Sequence, residues 1–333
     1  MRKILFLITV ISTLIFGACN HKELCYHHPH QIKIKVEFNW QNAPDANPMG
    51  MCVFFYSKND NYSRRVDFIG MQGGYVELAE GEYQIIAYNN DTESVLFAGT
   101  GKFGSHYAYT REGSVLEPAI GSTASHAPRA QGAEEERVRI TPDKLWGCFL
   151  SDVKISSAGV EYSCIHNNTI VENKEQIITL YPNDLVCHYS YEILNVSNLG
   201  HATLMCASLS GMAGKLSLST LALDKECITL PLEANMNRAD STITGEFLTF
   251  GHSLENDTPH NMLLYVWMDN GDKFYFGSDD PKFNVTEQIH NAPNPKRVHL
   301  IIDGLKLPKP LQNGEGYKPT IDDWEEEFED VIM

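Results

Sequence analysis

Basic residues are scarce in this 333-residue chain: 26 lysines and arginines stand against 43 aspartates and glutamates, a formal charge of −17. Nucleic acid and anionic lipid surfaces are held by a basic face, so this balance argues against both as partners. Beyond the first twenty residues no stretch approaches the ~20 apolar residues of a membrane-spanning helix. Catalytic signatures are missing too. There is no H-E-x-x-H, no P-loop and no G-x-G-x-x-G, and the glycines at 70, 73 and 74 have the wrong spacing. Ser210, in Ala207-Ser-Leu-Ser-Gly-Met212, lacks the first glycine of a nucleophile elbow. The acids of Asp269-Asn-Gly-Asp272 lack the spacing and closing glutamate of a calcium loop. The Glu-rich runs read as solvated faces. Cysteine is sparse: after Cys19 there remain Cys25, Cys52, Cys148, Cys164, Cys187, Cys206 and Cys227. Their number is odd, and a chain of this length does not need staples, so no pairing is assigned. Cys52 and Cys206 sit inside apolar runs, where cysteine acts as a small buried hydrophobe. These absences point to a protein that is no enzyme and needs no cofactor.

What is present begins with MRKILFLITVISTLIFGACN. Arg2 and Lys3 precede an apolar run from Ile4 to Phe16, and small residues lead to Cys19. A charged start, a short apolar core and a small-residue cleavage zone make residues 1–18 a secretory signal peptide. Phe16-Gly-Ala-Cys19 resembles the bacterial lipobox, which makes Cys19 the lipidated first residue of the mature chain. Several acyl chains (palmitate among them) would anchor it stably, at about 0.8 kcal/mol per buried methylene. Residues 19–31 read as a lipidated tether. Within them Cys25-Tyr-His-His-Pro-His30 has the residue types of a zinc or copper site, but Pro29 restricts His28 and no partner cluster follows. The tract is read as tether, with no metal.

From Ile32 the chain reads as β-structure. Ile32, Ile34, Val36, Phe38 and Trp40 alternate with Lys33, Lys35, Glu37 and Asn39, a half-buried strand. Met51–Tyr56 is apolar on both faces. Further strands are expected at Arg65–Ile69, Tyr75–Leu78, Gly81–Tyr88 and Ser94–Phe97, separated by turn residues. Pro118–Glu136 turns rich in Gly, Ser and Glu and reads as a linker. Thr141-Pro-Asp143 reads as the start of a helical turn. Strands then resume at Val153–Ile155, Gln176–Tyr181, Cys187–Val196, Leu216–Leu221, Glu226–Leu230, Ile243–Phe250, Met262–Met268 and Val298–Ile302. Asn270-Gly271 between two apolar runs signals a hairpin. Short, closely spaced strands without helical periodicity indicate β-sandwiches. The expected division is an N-terminal sandwich over 32–135, a C-terminal one over 136–310, and an acidic tail over 311–333. In that tail Trp324, Phe328 and Ile332 recur every four residues. They are candidate partner-binding anchors, either packing as a last strand on their own domain or filling a groove on a partner.

Phe38-Asn-Trp40, Gly81-Glu-Tyr-Gln-Ile-Ile-Ala-Tyr-Asn-Asn-Asp-Thr-Glu93, Leu209-Ser-Gly-Met-Ala213, Val298-His-Leu-Ile-Ile-Asp-Gly304, the lipobox and the Asp-Trp tail together carry a resemblance. They resemble the Bacteroidetes fimbrillin-associated lipoproteins, including an uncharacterised family of this length and FimB-like fimbrial anchors. The resemblance implies two tandem transthyretin-like β-sandwiches on the outer membrane, with a role in anchoring or assembling fimbriae and fimbrial subunits as partners. Fimbrillins that polymerise lose their first strand to an Arg-specific protease. Here the first arginine after the signal is Arg64, beyond two expected strands, and Arg129 reads as exposed in the linker. An uncut, lipidated amino end suits a fixed base. The competing expectation is a glycan- or nutrient-binding surface lipoprotein.

Overall fold

Alternation from Ile32 to Phe38 dictates one buried face, and in the computed structural model Ile32, Ile34, Val36 and Phe38 are all buried on β1 (Gln31–Phe38). The structure describes residues 31–309, apart from 61, 122–126, 157–175, 254, 256 and 279. The next strands are β2 (Gly50–Ser57), β3 (Ser63–Ile69), β4 (Gly73–Ala79), β5 (Gly81–Asn89), β6 (Val95–Ala98) and β7 (Tyr107–Thr110). Then come β8 (Arg137–Val138), β9 (Trp146–Ile155), β10 (Ile177–Leu180), β11 (Asn183–Asp184), β12 (Cys187–Leu194) and β13 (Ala202–Ala213). The series closes with β14 (Lys215–Ser217), β15 (Cys227–Glu233), β16 (Asn235–Asn237), β17 (Thr242–Thr249), β18 (Met262–Met268), β19 (Lys273–Phe276) and β20 (Arg297–Asp303). Among the described residues two short α-helices, α1 (Glu117–Ile120) and α2 (Thr286–His290), interrupt them. The fold is all-β, as the sequence indicates.

Two pairs of sheets each enclose a core. In the first, β10-β1-β4 faces β11-β9-β5-β2-β3 across Ile34, Val36, Met51, Phe55, Ile85 and Leu180. In the second, β16-β17-β12-β20 faces β19-β18-β13-β15-β8 across Tyr191, Leu209, Leu230, Val266 and Leu300. Pairing carries the first unit well past residue 135. β9 is antiparallel to β5, and β10 runs parallel to β1 with Val36 opposite Ile178. β8, by contrast, joins the second pair beside β15. The Asn-Gly hairpin forms as expected: β18 and β19 pair antiparallel, and Gly271 takes a φ of 91°. Gly245 on β17 lies opposite Tyr191, whose hydroxyl donates to the Glu233 carbonyl at 2.6 Å. A Cβ there would sit 2.3 Å from the tyrosine ring, so the ring's position requires glycine.

Three local expectations are corrected. Pro118–Glu136 is not a free linker where it is described. Val115, Leu116 and Val138 close a small core over Cys206, Leu263 and Tyr265 on the outside of the second pair. Glu136 fastens this strap, its carboxylate accepting from the Gly211 N–H at 3.1 Å and the Thr229 hydroxyl at 2.8 Å. Arg129 is accordingly half-buried, its guanidinium on the Glu136 carbonyl at 2.8 Å. Thr141–Asp143 is not helical. Asp143 instead caps the start of β6, accepting from the Ser94 hydroxyl at 2.6 Å and the Val95 N–H at 3.0 Å. Burial alone would raise its carboxyl, but the bonds from Ser94 and Glu93 outweigh burial and hold it below the usual range. The strand expected over Leu216–Leu221 stops at Ser217, because the chain turns back at Leu221, whose φ is 58° and whose N–H returns to the Ser217 carbonyl.

Candidate functional site

A third sheet joins the two pairs. Its order is β14-β7-β6, so β6 and β7 come from between strands of the two pairs while β14 continues directly from β13. β2 is apolar on both faces because it serves two cores. Met51, Val53 and Phe55 point into the first, while Cys52, Phe54 and Tyr56 point the other way. There they meet Ile86 and Tyr88 of β5, Val95 and Ala108 of the third sheet, and Leu216, Leu218 and Phe250 from the second half of the chain. This shared core is the place where the halves become one body.

His106, fully buried, is the polar centre of that junction. Tyr56 Oη lies 2.7 Å from Nδ1 and Tyr88 Oη 3.2 Å from Nε2. Tyr56 also donates to the Thr100 carbonyl at 3.1 Å, which leaves its oxygen to accept from Nδ1–H while Tyr88 donates to Nε2. The neutral ring satisfies both of its tyrosine partners. Burial, aided by Arg65, pushes the His106 pKa down to about 4. Burial also raises both tyrosines and pushes the Cys52 thiol up to about 12. Cys52 is therefore an inert packing group.

Three more histidines meet at one end of the second pair. His252 and His260 flank the loop from β17 to β18, and His290 ends α2. The His260 and His290 Nε2 atoms are 3.2 Å apart, and the His252 ring stacks on His290 at 5.0 Å. His260 Nδ1 donates to the Ser210 carbonyl at 3.3 Å, so its Nε2 is the acceptor facing His290. Burial pushes the His260 pKa down to about 4, and it lowers His252 together with the neighbouring His290. Among the described residues no three His, Cys, Asp or Glu side chains are arranged to hold a metal ion. Ser210 uses its hydroxyl on the Asn261 backbone, at 3.2 Å to the carbonyl and 3.1 Å to the N–H. The nearby histidine reaches its carbonyl rather than its hydroxyl.

The residues singled out in the sequence, Cys19, Trp324, Phe328 and Ile332, lie outside the described residues, as does the Cys25–His30 tract. The structure does show how the first and last described segments are held. β1 is the middle strand of its sheet, antiparallel to β4 and parallel to β10. At the other end Leu307 is tied to the Asn195–Gly200 turn: its N–H donates to the Ser197 carbonyl at 3.2 Å, and Asn198 Nδ2 donates to its carbonyl at 2.7 Å. Arg64, on β3, sets its guanidinium on the Glu77 carbonyl of β4.

Residues 18–233 match the family described as Domain of unknown function (DUF5119). The chain belongs to that family. This DUF5119 chain is 22% identical over 263 residues to a Bacteroides ovatus protein named for fimbrium anchoring, Fim4B, covering 77% of this chain and 68% of the relative. In three dimensions it is similar to a Bacteroides ovatus structure described as an adhesin. The TM-score is 0.59 at 18% identity, over 89% of this chain and 99% of that one. The fimbrial anchor protein Mfa2 of Porphyromonas gingivalis aligns over 81% of this chain and 90% of its own, with 14% identity and a TM-score of 0.46.

Proposed function

We propose that the chain is a non-enzymatic, lipid-anchored cell-surface subunit that anchors fimbriae or serves in their assembly. The observation that carries this reading is the sequence similarity to the fimbrium anchoring relative, which spans most of both chains. The fold suits the task. Force entering at a lipidated Cys19 would reach β1, a strand paired on both sides, and would have to shear both ladders before the core opened. A cut after Arg64 would remove β1 and β2, and with them Ile34, Val36, Met51 and Phe55 of the first core. The uncut amino end is therefore part of the fold. Cys19→Ala is expected to shift the protein from the membrane fraction to the soluble one, with loss of acyl label. Retention of the variant in the membrane without label would overturn the lipid anchor.

The tail is the second half of the proposal. Trp324, Phe328 and Ile332 are apolar anchors in an acidic segment, and exposed apolar surface gains nothing in water. They pack either on their own second sheet pair or on a fimbrial partner. Deleting residues 321–333 separates the two. A lower melting temperature assigns the tail to this protein's own core, and unchanged melting with lost fimbria assembly assigns it to a partner. No change in either excludes both roles.

A further inference from the structure

One side chain closes the outer edge of β20. β20 is the last strand of its sheet, parallel to β12. Val298, Leu300 and Ile302 face the core, while Arg297, His299, Ile301 and Asp303 face outward. An edge strand leaves the N–H and C=O groups of alternate residues unpaired and open to another chain. At Ile301 both groups are taken. Its N–H donates to Gln288 Oε1 at 2.8 Å, and its carbonyl accepts from Gln288 Nε2 at 2.9 Å. The amide thus makes the two bonds that the facing residue of a neighbouring antiparallel strand would make. At the end of the strand, Lys282 Nζ donates to the Gly304 carbonyl at 3.2 Å. α2 holds Gln288 in place: Ile289 is buried, and the Thr286 hydroxyl accepts from the His260 N–H at 2.8 Å.

The edge behind this cap is complementary to itself. In an antiparallel pairing of two β20 strands centred on Ile301, that residue meets its own copy. His299 then meets Asp303 twice, once in each direction. The two apolar side chains at the centre are 47% exposed in the single chain, and polar partners of suited chemistry flank them. His299 Nδ1 rests on the Ser190 hydroxyl at 2.8 Å, and Asn195 Nδ2 donates to Asp303 Oδ1 at 2.6 Å. Both side chains lie on the outward face, each bonded to a residue on or just beyond β12. One patch serving both copies is what a two-fold interface requires.

We propose that β20 is a self-association edge for a second copy of this chain and that Gln288 keeps it shut. A bond pair blocked at the central residue leaves room for only isolated contacts on either side, too few for a ladder. The test uses the purified full-length protein, with mass measured by sedimentation and with Ile301→Cys as a cross-linking reporter. Gln288→Ala removes two hydrogen bonds per copy that pairing would otherwise displace, and it is expected to strengthen dimerisation at least about tenfold. The Ile301→Cys disulfide should form between copies in that background and not with Gln288 present. Adding His299→Asp sets an acid opposite Asp303 at both of these pairings and should restore the monomer. Gln288→Glu, of the same shape but unable to donate to the Ile301 carbonyl, should dimerise as well and serves if the alanine variant folds poorly. The proposal is overturned if the folded variants associate no more than the parent. It is also overturned if their dimers ignore His299→Asp and do not cross-link at 301, or if the parent already cross-links there.

Discussion

Phe54→Ala is expected to cost about 3–5 kcal/mol and to split one thermal unfolding transition into two. Phe54 is only 6% exposed and stacks between Tyr56 and Tyr88, with ring centroids at 6.1 and 5.8 Å, while His106 meets it edge-on at 4.8 Å. It stands in the core shared by β2, β5 and the third sheet, where Leu216, Leu218 and Phe250 bring in the second half of the chain. A cavity there weakens the join between the sheet pairs along with the stability of the first. The control is its neighbour Phe55, which is wholly buried and points into the first core alone. Phe55→Ala should cost a similar amount while leaving a single, shifted transition. Calorimetry distinguishes them. One transition in both variants would mean that the coupling of the pairs does not run through the core around Phe54.

Acid is expected to destabilise the protein in a defined window. His106 and His260 are pushed down to about 4 in the folded state, chiefly by burial, against an ordinary value of 6.5. Above pH 6.5 both rings are neutral whether folded or not, and they contribute no pH dependence. Between 6.5 and 4 the unfolded chain binds protons that the folded chain refuses, so stability falls as pH falls, and below 4 this loss levels off. Each histidine then accounts for about 3 kcal/mol at the acid end, at 1.36 kcal/mol per pH unit. Carboxylates held low by their partners, Asp143 among them, add further loss at lower pH. Urea midpoints measured across pH 4 to 7 should show the slope, and His260→Gln should reduce it. A flat profile through that window would show that these rings are not held neutral by the fold.

Strands with one core to serve show their facing as well as their existence. β1 and β12 alternate buried and half-exposed positions, so a period of two is visible. β2, with nearly every residue buried, was legible as a strand but not as the shared wall of two cores. Of the third sheet, β6 and the start of β14 were legible as strands, but the four-residue β7 between them was not, and no local signal encodes the pairing that joins the three. The parallel pairing of β1 with β10 joins segments far apart in the chain, and no local signal encodes it. The Pro118–Glu136 strap was masked by its composition. Its polar and small residues read as linker, whereas the tying group is one buried carboxylate, Glu136, whose partners Gly211 and Thr229 lie in distant strands. The histidine cluster and the Gln288 cap depend in the same way on loops that meet only in the fold. α2, at five residues and without a side-chain cap at its start, gives no sequence warning. The sites read most directly from the sequence, Cys19 and the aromatic tail, belong to the segments beyond the described fold.

The most direct test of an anchoring role is to quantify fimbriae on cells and in the medium for strains carrying the original chain, none, or Cys19→Ala. The account predicts that fimbriae made with the original chain stay on the cells, and that both other strains shed them into the medium. Fimbriae retained on the cells in equal number in all three strains would contradict it.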